Sequence, residues 1–135
     1  MIVADASWVV ALRDPADDYH HQAVAIHRQI GNEDALLHPV TLAECLVAPA
    51  QLGVLEDSAA ALRAAFEIPD IDHDAPLRWA ALRAETGLRL PYTIVLDTAL
   101  RHDARALATF DTKLATVATA RRIDVLGGSA GLARQ

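Results

Sequence analysis

Three carboxylates in this chain stand where an apolar run gives way to a helical pattern, and their placement could do chemistry. Residues 1–12 read Met-Ile-Val-Ala-Asp-Ala-Ser-Trp-Val-Val-Ala-Leu, a short apolar run that meets Asp5 and passes into an apolar-periodic segment after Ser7. Glu44 follows the run at 35–38 and falls in the first turn of a helix opening at Thr41. Asp111 closes the run at 106–109 through Phe110. Acids at strand ends are candidates for ligand or metal binding, because the C-terminal edge of a parallel sheet is where ligands bind. The net charge of −6 weighs against gripping nucleic acid by charge alone, and metal ions could neutralise phosphates instead. Arginine carries nearly all the positive charge, since Lys113 is the only lysine.

The elements that must bring these acids together alternate along the chain. The patterns predict strands at 1–4, 35–38, 106–109 and 123–126, with a weaker one at 68–71 broken by Pro69. Helices are expected at about 7–12, 19–30, 41–51 with an interruption at Pro49, 55–66, 92–102 and 112–121. A further helix is expected from an Asp74 cap, with Pro76 in its first turn and Gly87 just past its end. This alternation argues for an α/β fold: a four- to five-stranded parallel sheet flanked by helices on both faces. At 135 residues the chain should form a single domain over 1–126, with the Gly- and Ser-rich stretch 127–135 as a flexible tail.

Each acid also has an ordinary structural role. Asp5 could cap the first helix, Glu44 stands three residues after Thr41 at the spacing of a capping box, and Asp111 could cap the helix from Thr112. Capping does not by itself predict that all three converge on one sheet edge. Composition excludes other classes. No apolar run approaches the roughly 18 residues that span a bilayer, and the N-terminus lacks the basic flank of a signal peptide, so a cytoplasmic protein with no membrane association is expected. Cys45 is the only cysteine, which excludes an intrachain disulfide and favours a buried thiol. The six histidines show no zinc spacing, and Asp70, Asp72 and Asp74 lack the register of a calcium loop and read as turn and cap residues. Trp8 and Trp79 read as packing residues.

The opening Ile-Val-Ala-Asp5-Ala-Ser7, the segment Leu42-Ala43-Glu44, the later Arg89-Leu90-Pro91 and the run Ala108-Thr109-Phe110-Asp111 resemble PIN-domain ribonucleases, in particular VapC toxins of bacterial toxin–antitoxin pairs. The resemblance extends over nearly the whole chain to about Leu126 and rests on the order and spacing of these motifs together. It implies a PIN-like fold, an Mg²⁺- or Mn²⁺-dependent endoribonuclease, a homodimer, and inhibition by a VapB-type antitoxin. It also implies that Asp5, Glu44 and Asp111 are metal-site acids and that Ser7 supports them by hydrogen bonding. The chemistry would be hydrolysis of RNA phosphodiesters, with carboxylate-held metal activating water and stabilising the leaving oxygen.

One position departs from that pattern. Tyr92, 19 residues before Asp111, stands where such toxins carry a further aspartate after the Leu-Pro pair. A phenol brings no charge to a hard cation that prefers carboxylate oxygen. Asp97 is the candidate substitute. It lies five residues further, about 140° around a regular helix, so it joins the site only if the helix starts late or bends after Pro91; otherwise it can pair with Arg101 at the i, i+4 spacing. Arg13 and Arg89 are candidates for RNA backbone contacts. The apolar faces at 19–30 and 41–51 could form a dimer seam or an antitoxin groove. Two functions follow, an active ribonuclease toxin or a PIN-like module that Tyr92 has disabled and that acts by binding a partner. A receiver-like or phosphotransfer domain is a more distant alternative, since those folds also carry an aspartate after the first strand.

Overall fold

The computed structural model describes residues 1–127. Strand β1 (Ile2–Ala4) lies at the centre of a four-stranded, all-parallel sheet, between β2 (Ala35–Leu36) and β3 (Ala106–Thr109), with β4 (Asp124–Gly127) beyond β3. The central strands β1 and β3 are buried throughout because both faces are covered, whereas the edge strand β4 opens with the exposed Asp124. Side chains alternate across the sheet with period two. Ile2, Ala4, Ala106 and Ala108 enter one core with Trp8, Ile26, Leu42 and Leu62, while Val3 and Leu107 enter the other with Val95, Leu96 and Leu114. Helices α1 (Ala6–Arg13), α2 (His20–Ile30), α3 (Pro39–Cys45) and α5 (Leu55–Ala65) supply the first core. Helices α7 (Leu90–Arg101) and α8 (Thr112–Ala120) supply the second. The alanines on the first face leave room for Trp8, which is fully buried, donates its indole N–H to the Ala23 carbonyl at 3.2 Å and meets Phe66 edge-on.

The order β2-β1-β3-β4 means that the chain leaves β1 in one direction and later continues from β3 in the other. The winding therefore reverses between β1 and β3, and a crevice opens at their C-terminal ends, where open α/β sheets bind ligands. Asp5 follows β1 and donates its backbone N–H to Ala108 O at 3.0 Å, so the ends of the two central strands are tied side by side.

Several boundaries differ from expectation for local reasons. Helix α3 opens at Pro39, two residues before the expected start at Thr41, with His38 as its N-cap accepting the Val40 N–H on Nδ1 at 3.1 Å; proline is preorganised for the first helical position. The helical stretch then splits at Leu46 into α3 and α4 (Val47–Gln51). Pro49 has no N–H for the Cys45 carbonyl, so one continuous helix cannot form there. No strand forms at 68–71. Instead Glu67 makes a single parallel bridge to Leu36, donating to Ala35 O and accepting from Leu37 N, both at 2.9 Å, and Pro69 follows it without an N–H. Helix α6 (Ala75–Thr86) follows Asp74 and ends at Gly87 in a left-handed conformation, φ 71°, but the Asp74 side chain makes no capping bond. Gly127 belongs to β4 and not to the tail; its φ is 99°, and a Cβ there would collide with the Thr109 carbonyl. The expected tail beyond it, 128–135, lies outside the described residues.

Candidate active site

Asp5 stands at the N-cap of α1, yet its carboxylate makes no capping bond. It is turned into the crevice and is 3% exposed. Two hydroxyls hold it: Ser7 Oγ donates to Oδ2 at 2.7 Å and Thr109 Oγ1 donates to the same oxygen at 2.8 Å. Each hydroxyl in turn accepts a backbone N–H, Ser7 from Phe110 and Thr109 from Asp111, both at 3.0 Å. Each hydroxyl has a single proton and gives it to the carboxylate while its oxygen accepts a backbone N–H, so Asp5 is held as an acceptor. Burial pushes the Asp5 carboxyl above its ordinary value, and the two hydroxyls only partly oppose this.

Glu44 faces the same crevice from α3. Because that helix begins at Pro39, Glu44 lies in its second turn, and the capping box with Thr41 does not form. The Thr41 hydroxyl is buried with no partner. Glu44 and Asp5 line one cavity of about 310 Å³ with Ser7, Arg89, Pro91 and Tyr92. Burial raises the Glu44 carboxyl, and the charge of Asp5 raises it further. Two carboxylates with increased proton affinity in one cavity are a common mark of a functional site.

Asp111 lies on the other side of Tyr92. It does cap α8, its Oδ2 accepting Leu114 N–H at 2.8 Å, and it lines an adjoining cavity of about 430 Å³. Ala6, Ser7 and Tyr92 form the wall common to both cavities. The three acids thus reach one edge in two halves. Among the described residues, no three His, Cys, Asp or Glu side chains form a ready metal cage.

Asp97 does not join them. It is 6% exposed, accepts Arg78 Nε at 3.0 Å, Arg78 Nη2 at 3.2 Å and Trp79 Nε1 at 3.0 Å, and lines a separate cavity of about 160 Å³ with His38 and Asp72. Helix α7 starts at Leu90, immediately before Pro91, so the angular offset between positions 92 and 97 carries Asp97 to a different face from Tyr92. The expected Arg101 pairing fails as well, since Arg101 reaches Asp72 at 3.5 Å. The arginines divide similarly. Arg89 occupies the N-cap position of α7 without a side-chain capping bond, lines the Asp5 cavity and holds its guanidinium carbon 5.5 Å from the Tyr92 ring centroid. Arg13 ends α1, about 12 Å along the helix axis from Asp5, and lines neither cavity.

Sequence reading missed the part Thr109 plays in holding Asp5. Thr109 is a polar residue closing an apolar strand two positions before an acid, and that was its signal.

A doubly wound sheet with carboxylates at its switch point is the architecture of the PIN domain, and the PIN domain model matches residues 2–120. The chain belongs to the PIN-domain family. No curated protein matches it. Among solved structures, a toxin–antitoxin complex from Klebsiella pneumoniae is 25% identical, superposes with a TM-score of 0.72, and the match covers 85% of this chain and 90% of that one. Mycobacterium tuberculosis VapC20, described as a toxin that cleaves the sarcin-ricin loop, is 14% identical with a TM-score of 0.70, covering 87% of this chain and 95% of the other. FitAcB from Neisseria gonorrhoeae is 19% identical with a TM-score of 0.67, covering 94% and 97%. No helix among the described residues is long and apolar enough to cross a membrane.

Proposed function

We propose that this chain is a VapC-type toxin, an Mg²⁺-dependent endoribonuclease that also accepts Mn²⁺, acts on RNA in the cytoplasm and is restrained by a VapB-type antitoxin. The observation that carries this reading is the pairing of Asp5 and Glu44 in one cavity at the switch point, each carboxyl raised by burial. That donor set fits magnesium, which is commonly held by one or two carboxylates with the rest of its shell from water and substrate phosphate. Asp5 and Glu44 would hold the ion, with Asp111 bordering the adjoining cavity. A bound divalent cation supplies activation of water and neutralisation of phosphate charge.

The chain's own residues do the rest. Ser7 and Thr109 keep Asp5 from turning away to cap α1, since both hydroxyls are spent on its Oδ2. Glu44, facing the cavity, can accept a proton from the attacking water. Arg89 at the cavity wall binds and orients the scissile phosphate, and its contact with the Tyr92 ring limits its motion. Tyr92 supplies a hydroxyl where an acid would bring charge. For a homodimer, support comes from Val47, Leu52, Val54 and Leu55, exposed together around α4 and the start of α5 and apolar enough to serve as a seam.

A second reading has its own observation. Tyr92 stands between the two acidic halves and Asp97 is tied to Arg78 and Trp79, so one acid is missing; the chain would then be a disabled nuclease that acts through antitoxin binding. RNA cleavage across an Mg²⁺ and Mn²⁺ titration separates the two. The toxin reading expects cleavage by the unaltered chain, none by Asp5→Ala, and cleavage at lower metal concentration by Tyr92→Asp. Cleavage by Tyr92→Asp alone assigns the second reading, and equal cleavage by Asp5→Ala rules out this site.

A further inference from the structure

The larger cavity, on the far side of Tyr92 from Glu44, is not used by the chemistry above. Tyr19, Tyr92 and Phe110 line it with Val10, Asp17 and Asp111. These are three of the chain's six aromatic rings, gathered beside the acids in a protein otherwise packed with alanine and leucine. Tyr19 and Phe110 stack with centroids 4.7 Å apart and planes 16° from parallel. Phe110 is buried, so packing accounts for it, but Tyr19 is 39% exposed and packing does not account for its ring. The two carboxylates are each half engaged: Asp17 Oδ1 accepts Tyr19 N–H at 2.9 Å and Asp111 Oδ2 accepts Leu114 N–H at 2.8 Å. Among the described residues, no side chain bonds to the second oxygen of either.

Charge decides which part of an RNA strand could enter. Each cavity carries two carboxylates, but only the one across Tyr92 also carries a cationic side chain, Arg89, to attract phosphate; among the described residues Asp17 and Asp111 have none beside them. Aromatic faces accept any base by stacking, while carboxylates accept N–H groups and donate none. We propose that this cavity is a base-binding subsite, taking the nucleobase adjacent to the phosphate held at Asp5 and Glu44. The inference rests on the ribonuclease reading. Tyr19 supplies the stacking surface and Tyr92 divides base from phosphate. Asp17 selects a base with adjacent N–H donors on one edge, which favours guanine, whose N1 and N2 both donate, and disfavours uracil, whose single N–H lies between two carbonyls.

The test is equilibrium binding with Ca²⁺ in place of Mg²⁺, which keeps a cation on the phosphate at Asp5 and Glu44 while slowing cleavage, using oligouridine strands that carry G, A, C or U at one central position. The unaltered chain is expected to bind the G strand about tenfold more tightly than the all-U strand. Tyr19→Leu should weaken the G, A and C strands about tenfold, Tyr19→Phe should restore them, and Asp17→Asn should narrow the gap between G and U. Thermal unfolding of each variant confirms that it is folded. Binding and Mg²⁺-dependent cleavage by the unaltered chain, with no response to Tyr19→Leu or Asp17→Asn, overturns the subsite and leaves the ribonuclease reading standing. Failure of the unaltered chain both to bind and to cut any strand overturns both. A shift of the monomer–dimer equilibrium in Tyr19→Leu with RNA affinity unchanged assigns the cavity to a second copy of the chain, which also overturns the proposal.

Discussion

Asp5→Asn is expected to make the protein more stable at neutral pH while abolishing its activity. The carboxylate is buried, shares its cavity with Glu44, and has no cationic side chain among its hydrogen-bond partners. Its proton affinity is therefore higher in the folded chain than in the unfolded one, with burial as the main cause. A carboxyl raised in this way binds protons more tightly when folded, so the contribution of Asp5 to stability is greatest at low pH and is lost as pH rises from the ordinary carboxyl value through the raised folded one. Asparagine keeps an oxygen for Ser7 and Thr109 and removes the charge. The gain should be on the order of 1 to 2 kcal/mol, typical of substitutions that relieve stored repulsion at a functional site. For a chain of this size that corresponds to a rise of roughly 3 to 7 °C in Tm. Thermal unfolding of both proteins at pH 7.5, 6, 5 and 4 measures it, and the difference should close as pH falls and wild-type Asp5 takes up its proton. Addition of Mg²⁺ should raise the Tm of the wild type more than that of the variant. A variant less stable than wild type at pH 7.5, by an amount independent of pH, would refute the reasoning and make Asp5 a structural acceptor for two hydroxyls.

The remaining substitutions distinguish the crevice from its surroundings. Thr109→Val removes the donor to Asp5 and leaves the Asp111 N–H without its acceptor, so a loss of about 2 kcal/mol in denaturant unfolding is expected together with loss of cleavage, and Thr109→Ser should recover part of both. Asp97→Ala strips Arg78 and Trp79 of their shared acceptor and should cost about 2 to 3 kcal/mol, while folded protein at low temperature retains RNA cleavage; loss of cleavage as complete as in Asp5→Ala would return Asp97 to the site. Cys45 is buried and its thiol is pushed up to about 12, so iodoacetamide at pH 8 should leave the native chain unmodified and label it rapidly in denaturant; native labelling would show that α3 opens readily.

What the sequence shows and what it hides divide along physical lines. Convergence of Asp5, Glu44 and Asp111 on one edge was legible because it needs only strand ends and a parallel sheet, and apolar runs mark strands well. The precise duties of the three were not. Asp5 and Asp111 both precede helices, but only Asp111 caps; Asp5 is drawn away by Thr109, a residue 104 positions distant that becomes its neighbour only when β1 pairs with β3. Glu44 was freed because Pro39 opens the helix two residues before Thr41, where the pattern placed its start, so the capping-box register is lost. Asp97 shows the opposite limit. Sequence reading offered Asp97 as the substitute acid, but its partner Arg78 comes from another helix, and neither helical phase nor the local i, i+4 spacing to Arg101 carried information about that competition. Local signals thus predict where a side chain can start, and strand pairing and helix packing decide which atom it meets. The acid-for-tyrosine exchange at position 92 belongs to the first kind, being visible in the sequence alone. Its consequence belongs to the second: only the fold shows that Tyr92 forms a wall between a cavity with Arg89 and two carboxylates and a cavity with two further aromatic rings.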